Sequence, residues 1–97
     1  MIVELSEPAR RELEHARDRY EAEREGLGEE FVEEIERLIA DIGERPLTFG
    51  KIGRTKARRA LATRFPYKLV FFLLGDVVRV VCVAHQHQAP GYWKHRL

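Results

Sequence analysis

Residues 58–93 read RRALATRFPYKLVFFLLGDVVRVVCVAHQHQAPGYW, and the fold turns on this stretch. Phe65-Pro66-Tyr67 opens a nearly continuous apolar run to Leu74, Gly75-Asp76 interrupts it, and a second, β-branched run extends from Val77 to Ala84. Short runs rich in Val, Leu and Phe, separated by two small polar residues that suit a tight turn, predict a β-hairpin rather than helices. Beyond the second run lies a polar, ring-rich tail from His85 to Arg96. It is expected to leave the end of the sheet, and any active surface is expected there.

Working upstream, Arg54–Arg64 is read as a further strand. Pro66 disfavours a helical Phe65, and a two-stranded hairpin alone would be marginal. Before it, Glu44–Gly53 reads as an irregular loop punctuated by Pro46, Gly50 and Gly53. Two amphipathic helices precede the loop. In the first, Ala9, Leu13, Ala16 and Tyr20 recur at helical spacing, with Ser6 as the cap and Pro8 in the first turn. In the second, Phe31, Ile35, Leu38, Ile39 and Ile42 form the apolar stripe, and Gly43 is expected to stop it. Glu12 and Glu34 are assigned to the solvated faces. Gly26-Leu27-Gly28 makes the reversal between the helices, which should therefore lie antiparallel, and Ile2–Leu5 is a short leading strand. The chain is thus expected to be one α+β domain, residues 1–97, in the order strand-helix-helix-strand-strand-strand. Its two helices pack on one face of a small, mostly antiparallel sheet.

Composition limits the function classes. An apolar fraction of 44% and a charged fraction of 34% fit a globular protein rather than a disordered one. No apolar run reaches the roughly 18 residues of a membrane span, and the N-terminus lacks the order of a signal peptide, so the chain reads as cytoplasmic. Cys82 is the single cysteine and falls within an apolar run, where an inert buried thiol is the ordinary reading. Net charge is only +1, but it is segregated. Met1–Arg45 carries 15 acidic and 7 basic residues, whereas Pro46–Leu97 carries 1 acidic and 10 basic. Such asymmetry marks either a polyanion-binding surface or an acidic helical layer that neutralises a basic sheet.

The element order, the Glu25-Gly26-Leu27-Gly28 hinge followed by Phe31, Arg58-Arg59-Ala60-Leu61, Arg64-Phe65-Pro66-Tyr67, and Val83-Ala84-His85 leading to Pro90-Gly91-Tyr92-Trp93 together resemble the RelE/ParE superfamily. These are toxins of type II toxin–antitoxin modules, and the likeness spans Val3–Arg96. It implies a small toxin neutralised by a cognate antitoxin that wraps over its helices and sheet. One branch of the superfamily cuts messenger RNA on the ribosome and the other inhibits DNA gyrase. The overall look of this chain is nearer the ParE-like and plasmid-stabilisation members.

Two function classes follow. The first, favoured by overall likeness, is a toxin acting by binding a target such as DNA gyrase. The second is a ribosome-dependent messenger RNA endoribonuclease. Its chemistry would need a base for the 2′-OH, an acid for the leaving oxygen and cations for the phosphate. His85 and His87 are the candidate proton carriers, and Tyr92 is a further candidate catalytic residue or a ring to stack on a base. The resemblance places His85 where several ribonuclease members keep a catalytic histidine, and Lys68 where they carry a phosphate-binding arginine. Lys68 keeps that charge without the bidentate fork. Arg58, Arg59, Arg64 and Arg96 are candidate phosphate or target contacts, with Trp93 a candidate stacking ring. With no further Cys, Asp or Glu near His85 and His87, neither a metal nor a cofactor is expected. Open sheet edges and the four consecutive apolar residues Phe71–Leu74 predict that a partner, either the antitoxin or a second copy, covers the face away from the helices.

Overall fold

The computed structural model describes residues 1–88 and 91–97. Strand β1 (Ile2–Leu5) leads into helices α1 (Glu7–Glu23) and α2 (Leu27–Glu44). After a 3₁₀ turn at Pro46–Thr48 come β2 (Arg58–Leu61), β3 (Tyr67–Leu74) and β4 (Val77–His85), and a last 3₁₀ turn spans Lys94–Arg96. The sheet order is β1-β4-β3-β2. The hairpin β3–β4 and the pair β2–β3 are antiparallel, while β1 runs parallel to β4 with Ile2 opposite Val77 and Leu5 opposite Val80. The architecture is therefore two helices on a mixed four-stranded sheet. No helix among the described residues is long and apolar enough to cross a membrane.

The local chemistry explains most boundaries. Ser6 caps α1 by accepting the Ala9 N–H at 3.3 Å, and Pro8 lies in the first turn where its missing N–H costs nothing. Gly75 turns the hairpin with φ 62°, the positive value that a two-residue turn demands. Gly26, at φ 88°, reverses the chain so that α2 begins one residue later. Between the helices and the sheet, Phe31, Ile35, Ile42, Leu69, Phe71, Val78 and Val80 are fully buried. Tyr20, Phe31, Phe65 and Tyr67 form an aromatic group within that core, with ring centroids 4.9–6.1 Å apart.

Several expectations need correction. Gly43 does not stop α2, which continues to Glu44; it is needed because β1 passes close by, and a Cβ there would sit 2.9 Å from the Met1 carbonyl oxygen. The strand expected over Arg54–Arg64 is confined to Arg58–Leu61. It ends because Glu34, reaching from α2, accepts the backbone N–H groups of Arg64 and Phe65 at 3.0–3.2 Å and fixes a turn there. Glu34 is accordingly 8% exposed rather than solvated. The face of the sheet away from the helices is not bare. The chain's own tail returns over it, and Trp93 joins Ala57, Val70, Phe72, Val81, Cys82 and Ala84 in a second core flanked by Ile52, Tyr92 and Leu97. Pro90, part of the Pro90–Trp93 stretch that carried the family likeness, lies outside the described residues.

Candidate functional site

The tail, the end of β4 and helix α1 meet at Glu12. β1 stops pairing with β4 at Val80, where the Ser6 N–H makes the last backbone bond of that edge. The next outward-facing groups on β4 therefore need other partners. Glu12 accepts the Val83 N–H at 3.0 Å, and Arg96 donates to the Val81 carbonyl at 3.0 Å. Both Glu12 carboxylate oxygens also lie 3.1 Å from the Arg96 guanidinium, and one accepts the Tyr92 hydroxyl at 2.9 Å. Tyr92 in turn contacts the Cys82 sulfur at 3.0 Å. Burial pushes the Cys82 thiol up to about 11, and burial together with its bond to Cys82 raises the Tyr92 phenol further above its ordinary value. Glu12, assigned from its charge to the solvated face, is thus the hub of this junction.

Adjacent to it, between α1 and the end of β4, lies a shallow cavity of roughly 180 Å³ lined by Glu12, His15, Arg19, Tyr67, His85 and Gln88. Arg19 donates to the Tyr67 hydroxyl, and the Tyr67 ring stands edge-on to His85 at 5.7 Å. The rings of His85 and His87 are 5.4 Å apart, and the His87 backbone N–H donates to Nδ1 of His85 at 3.2 Å. A neutral imidazole that accepts at Nδ1 carries its proton on Nε2 and presents a donor to the cavity.

The other candidates are dispersed. Lys68 precedes Leu69 on β3 and faces away from the helices, whereas His85, opposite Tyr67, faces α1. Arg59 shares the Lys68 face. Arg58 is occupied at the sheet edge, donating to the Phe49 carbonyl at 2.7 Å. Arg64 lies over the Phe65 ring and pairs with Glu30, which it and Arg24 hold below the usual carboxylate range by hydrogen bonding. Trp93 is 2% exposed and packs in the second core. A separate groove of roughly 350 Å³ runs between α2 and the β2 edge, lined by Leu38, Phe49 and Leu61 with Arg37 and Asp41. Segment 50–52 covers this edge as far as Arg59, through bonds between Arg59 and Gly50 and between Ile52 and Ala57. Leu61, beyond that cover, is half exposed.

Helix pair, mixed sheet and returning tail define a small α+β protein. The family model for the ParE toxin of the type II toxin–antitoxin system parDE matches residues 3–90, and the chain belongs to that family. Among solved structures, a chain from the chromosomal ParDE toxin–antitoxin system of P. aeruginosa superposes with a TM-score of 0.65 at 13% identity. The match covers 88% of this chain and 95% of that one, a likeness of fold. No curated protein matches the chain significantly by sequence.

Proposed function

We propose that this ParE-family toxin inhibits growth by binding a target such as DNA gyrase, without covalent chemistry of its own, and that a cognate antitoxin neutralises it in the cytoplasm. The observation that carries this reading is the separation of the groups RNA cleavage would need. A base, an acid and phosphate-binding cations must converge on one phosphate. Here His85 and Lys68 face opposite sides of the sheet, Tyr92 gives its proton to Glu12, and Arg96 is engaged by Glu12 and Val81. His85 also presents a donor, since Nδ1 is taken by His87. Supercoiling by purified gyrase tests the reading directly. The expected result is inhibition by the wild-type chain, relieved by its antitoxin; unimpeded supercoiling at toxin excess counts against it.

One observation favours the second reading, ribosome-dependent messenger RNA cleavage. His85 lines a cavity that also holds Arg19, and the His87 ring lies 5.4 Å from that of His85. In that reading those three residues replace the dispersed set.

For the antitoxin, we place one docking segment in the groove between α2 and β2. Leu61 is half exposed there, at the part of the β2 edge that segment 50–52 leaves open, so a segment entering the groove would find both apolar cover and an unpaired strand edge.

A further inference from the structure

The charge asymmetry of the sequence becomes a spatial one in the fold. Between Pro46 and Gly75 there are seven basic residues and no acidic one. The five ion pairs among the described residues use Arg17, Arg24, Arg64, Arg79 and Arg96. Among the described residues, Lys51, Arg54, Lys56, Arg59, Lys68 and Lys94 form no ion pair. Five of these six are exposed.

They also share a region. Arg59 stands opposite Val70 and Leu61 opposite Lys68, so Arg59 and Lys68 are diagonal neighbours on the face away from the helices. Lys56 lies over the Phe72 ring of that same face at 4.4 Å, and Lys94 follows Trp93, which packs into it. Arg54 and Lys51 continue the row along the loop that borders β2. Lys68 is 8% exposed and makes no side-chain hydrogen bond or ion pair among the described residues. Only its stem is buried: the ammonium reaches solvent beside Arg59 and adds to the positive potential of that face.

We propose that this cationic face, built from loop 51–56, Arg59, Lys68 and Lys94, binds the phosphodiester backbone of nucleic acid. An acidic protein surface is the weaker fit. Protein interfaces centre on apolar or aromatic anchors, and of the large exposed apolar side chains Leu61 stands beside Lys68, while Ile2 and Leu74 share this side of the sheet but flank Val77 at its hairpin end, away from Arg59 and Lys68. Scattered Lys and Arg without apolar centres suit sequence-independent phosphate contact. The inference does not depend on the identity of the toxin's target. In the gyrase reading it gives the toxin a direct contact with the DNA that gyrase holds.

Fluorescence anisotropy of a labelled DNA duplex of about 20 base pairs, titrated with the free toxin in the absence of gyrase, tests it across salt concentrations. Wild type should bind at about 50 mM salt, with affinity falling steeply as salt rises. The triple variant R54Q/K56Q/R59Q should lose at least about tenfold in affinity at low salt, and its log–log salt slope should shrink by about 3. The pair R10Q/R11Q on α1 should bind as wild type does, and circular dichroism should show both variants folded. Absence of binding at low salt, or equal binding by the triple variant, overturns the proposal. So does a polyglutamate peptide that displaces the duplex at equimolar phosphate and carboxylate, because the face then prefers an acidic protein. A labelled single strand run alongside reports which form of nucleic acid supplies the phosphates. Failure here leaves inhibition of gyrase untouched, since that is read from supercoiling.

Discussion

Glu12 and Arg96 stand 84 positions apart in the chain, yet both carboxylate oxygens of one lie 3.1 Å from the guanidinium of the other. The pair joins the first helix to the end of the chain, and it does so at the point where β1 has run out and β4 needs side-chain partners. One ion pair thus closes a sheet edge and holds the tail that covers the second core.

Removing the carboxylate should therefore cost more than a surface pair would. Glu12→Ala leaves the Val83 N–H, the Tyr92 hydroxyl and a guanidinium that is largely buried without their acceptor. The expected loss is about 3 kcal/mol, because hydrogen bonds to a charged group contribute roughly 1.5–3 kcal/mol and unpaired buried donors add a penalty. Glu12→Gln should lose less. Urea denaturation of the two variants measures the difference, and equal stability of Glu12→Ala and wild type would contradict the role assigned to this residue.

Alkaline pH should weaken the same junction. The Cys82 thiol ionises near 9 in the unfolded chain and at about 11 in the folded one, so the native state holds its proton more tightly. Stability from this group is fully present below pH 9 and is lost as pH rises towards 11. Tyr92 and Tyr20, both raised above 10 in the fold, act in the same direction at still higher pH. Thermal midpoints should fall between pH 9 and 11, and Cys82→Ala should flatten that fall. The buried thiol should also resist alkylation at pH 8 until denaturant is added.

Two glycines should respond oppositely to alanine. Gly43 sits within α2, where alanine is intrinsically better by about 1 kcal/mol, but its Cβ would meet the Met1 carbonyl at 2.9 Å and Val3 Cγ2 at 3.1 Å. Gly43→Ala should destabilise the protein despite helix propensity, by displacing β1. Gly50, in a loop, has nothing within 4 Å of an added Cβ, and Gly50→Ala should be neutral or slightly stabilising. Denaturant midpoints of the pair decide the matter.

Leu61→Glu places a charge on an exposed side chain at the open end of β2, in the groove proposed for the antitoxin. The fold should tolerate it, because surface substitutions usually stay within about 0.5 kcal/mol. Antitoxin affinity should fall at least about tenfold, a loss of about 1.4 kcal/mol. Titration calorimetry with the purified antitoxin reads this, and unchanged affinity would move the docking segment elsewhere.

The elements that depend on periodicity were legible in the sequence. The hairpin, the two helices and the Ser6 cap all follow from spacing and turn chemistry, and each is found in the fold. What escaped was polar. Charge alone assigns Glu12 and Glu34 to solvated faces, yet each falls on its helix's apolar stripe. Glu12 lies three residues after Ala9 and four before Ala16, and Glu34 three after Phe31 and four before Leu38. A carboxylate in that position has few options besides backbone N–H groups or a buried cation, so the signal was present. The parallel pairing of β1 with β4 and the return of the tail over the sheet are long-range choices that no local pattern encodes. They determine which candidate residues meet. Tyr92 and Arg96 converge with a glutamate of α1, whereas Lys68 and His85, close in the sheet, face apart because side chains alternate along strands.

The central claim is a toxin that acts by binding and whose histidines carry no chemistry. Wild type and His85→Ala, induced separately in cells, test it when growth is followed and messenger RNA ends are mapped in the same cultures. The account predicts growth arrest with intact messages and DNA-damage signals, and a His85→Ala variant as toxic as wild type. Arrest accompanied by new cuts phased to the ribosomal A site, which disappear in His85→Ala while the variant remains folded, would contradict it and make His85 part of a ribonuclease.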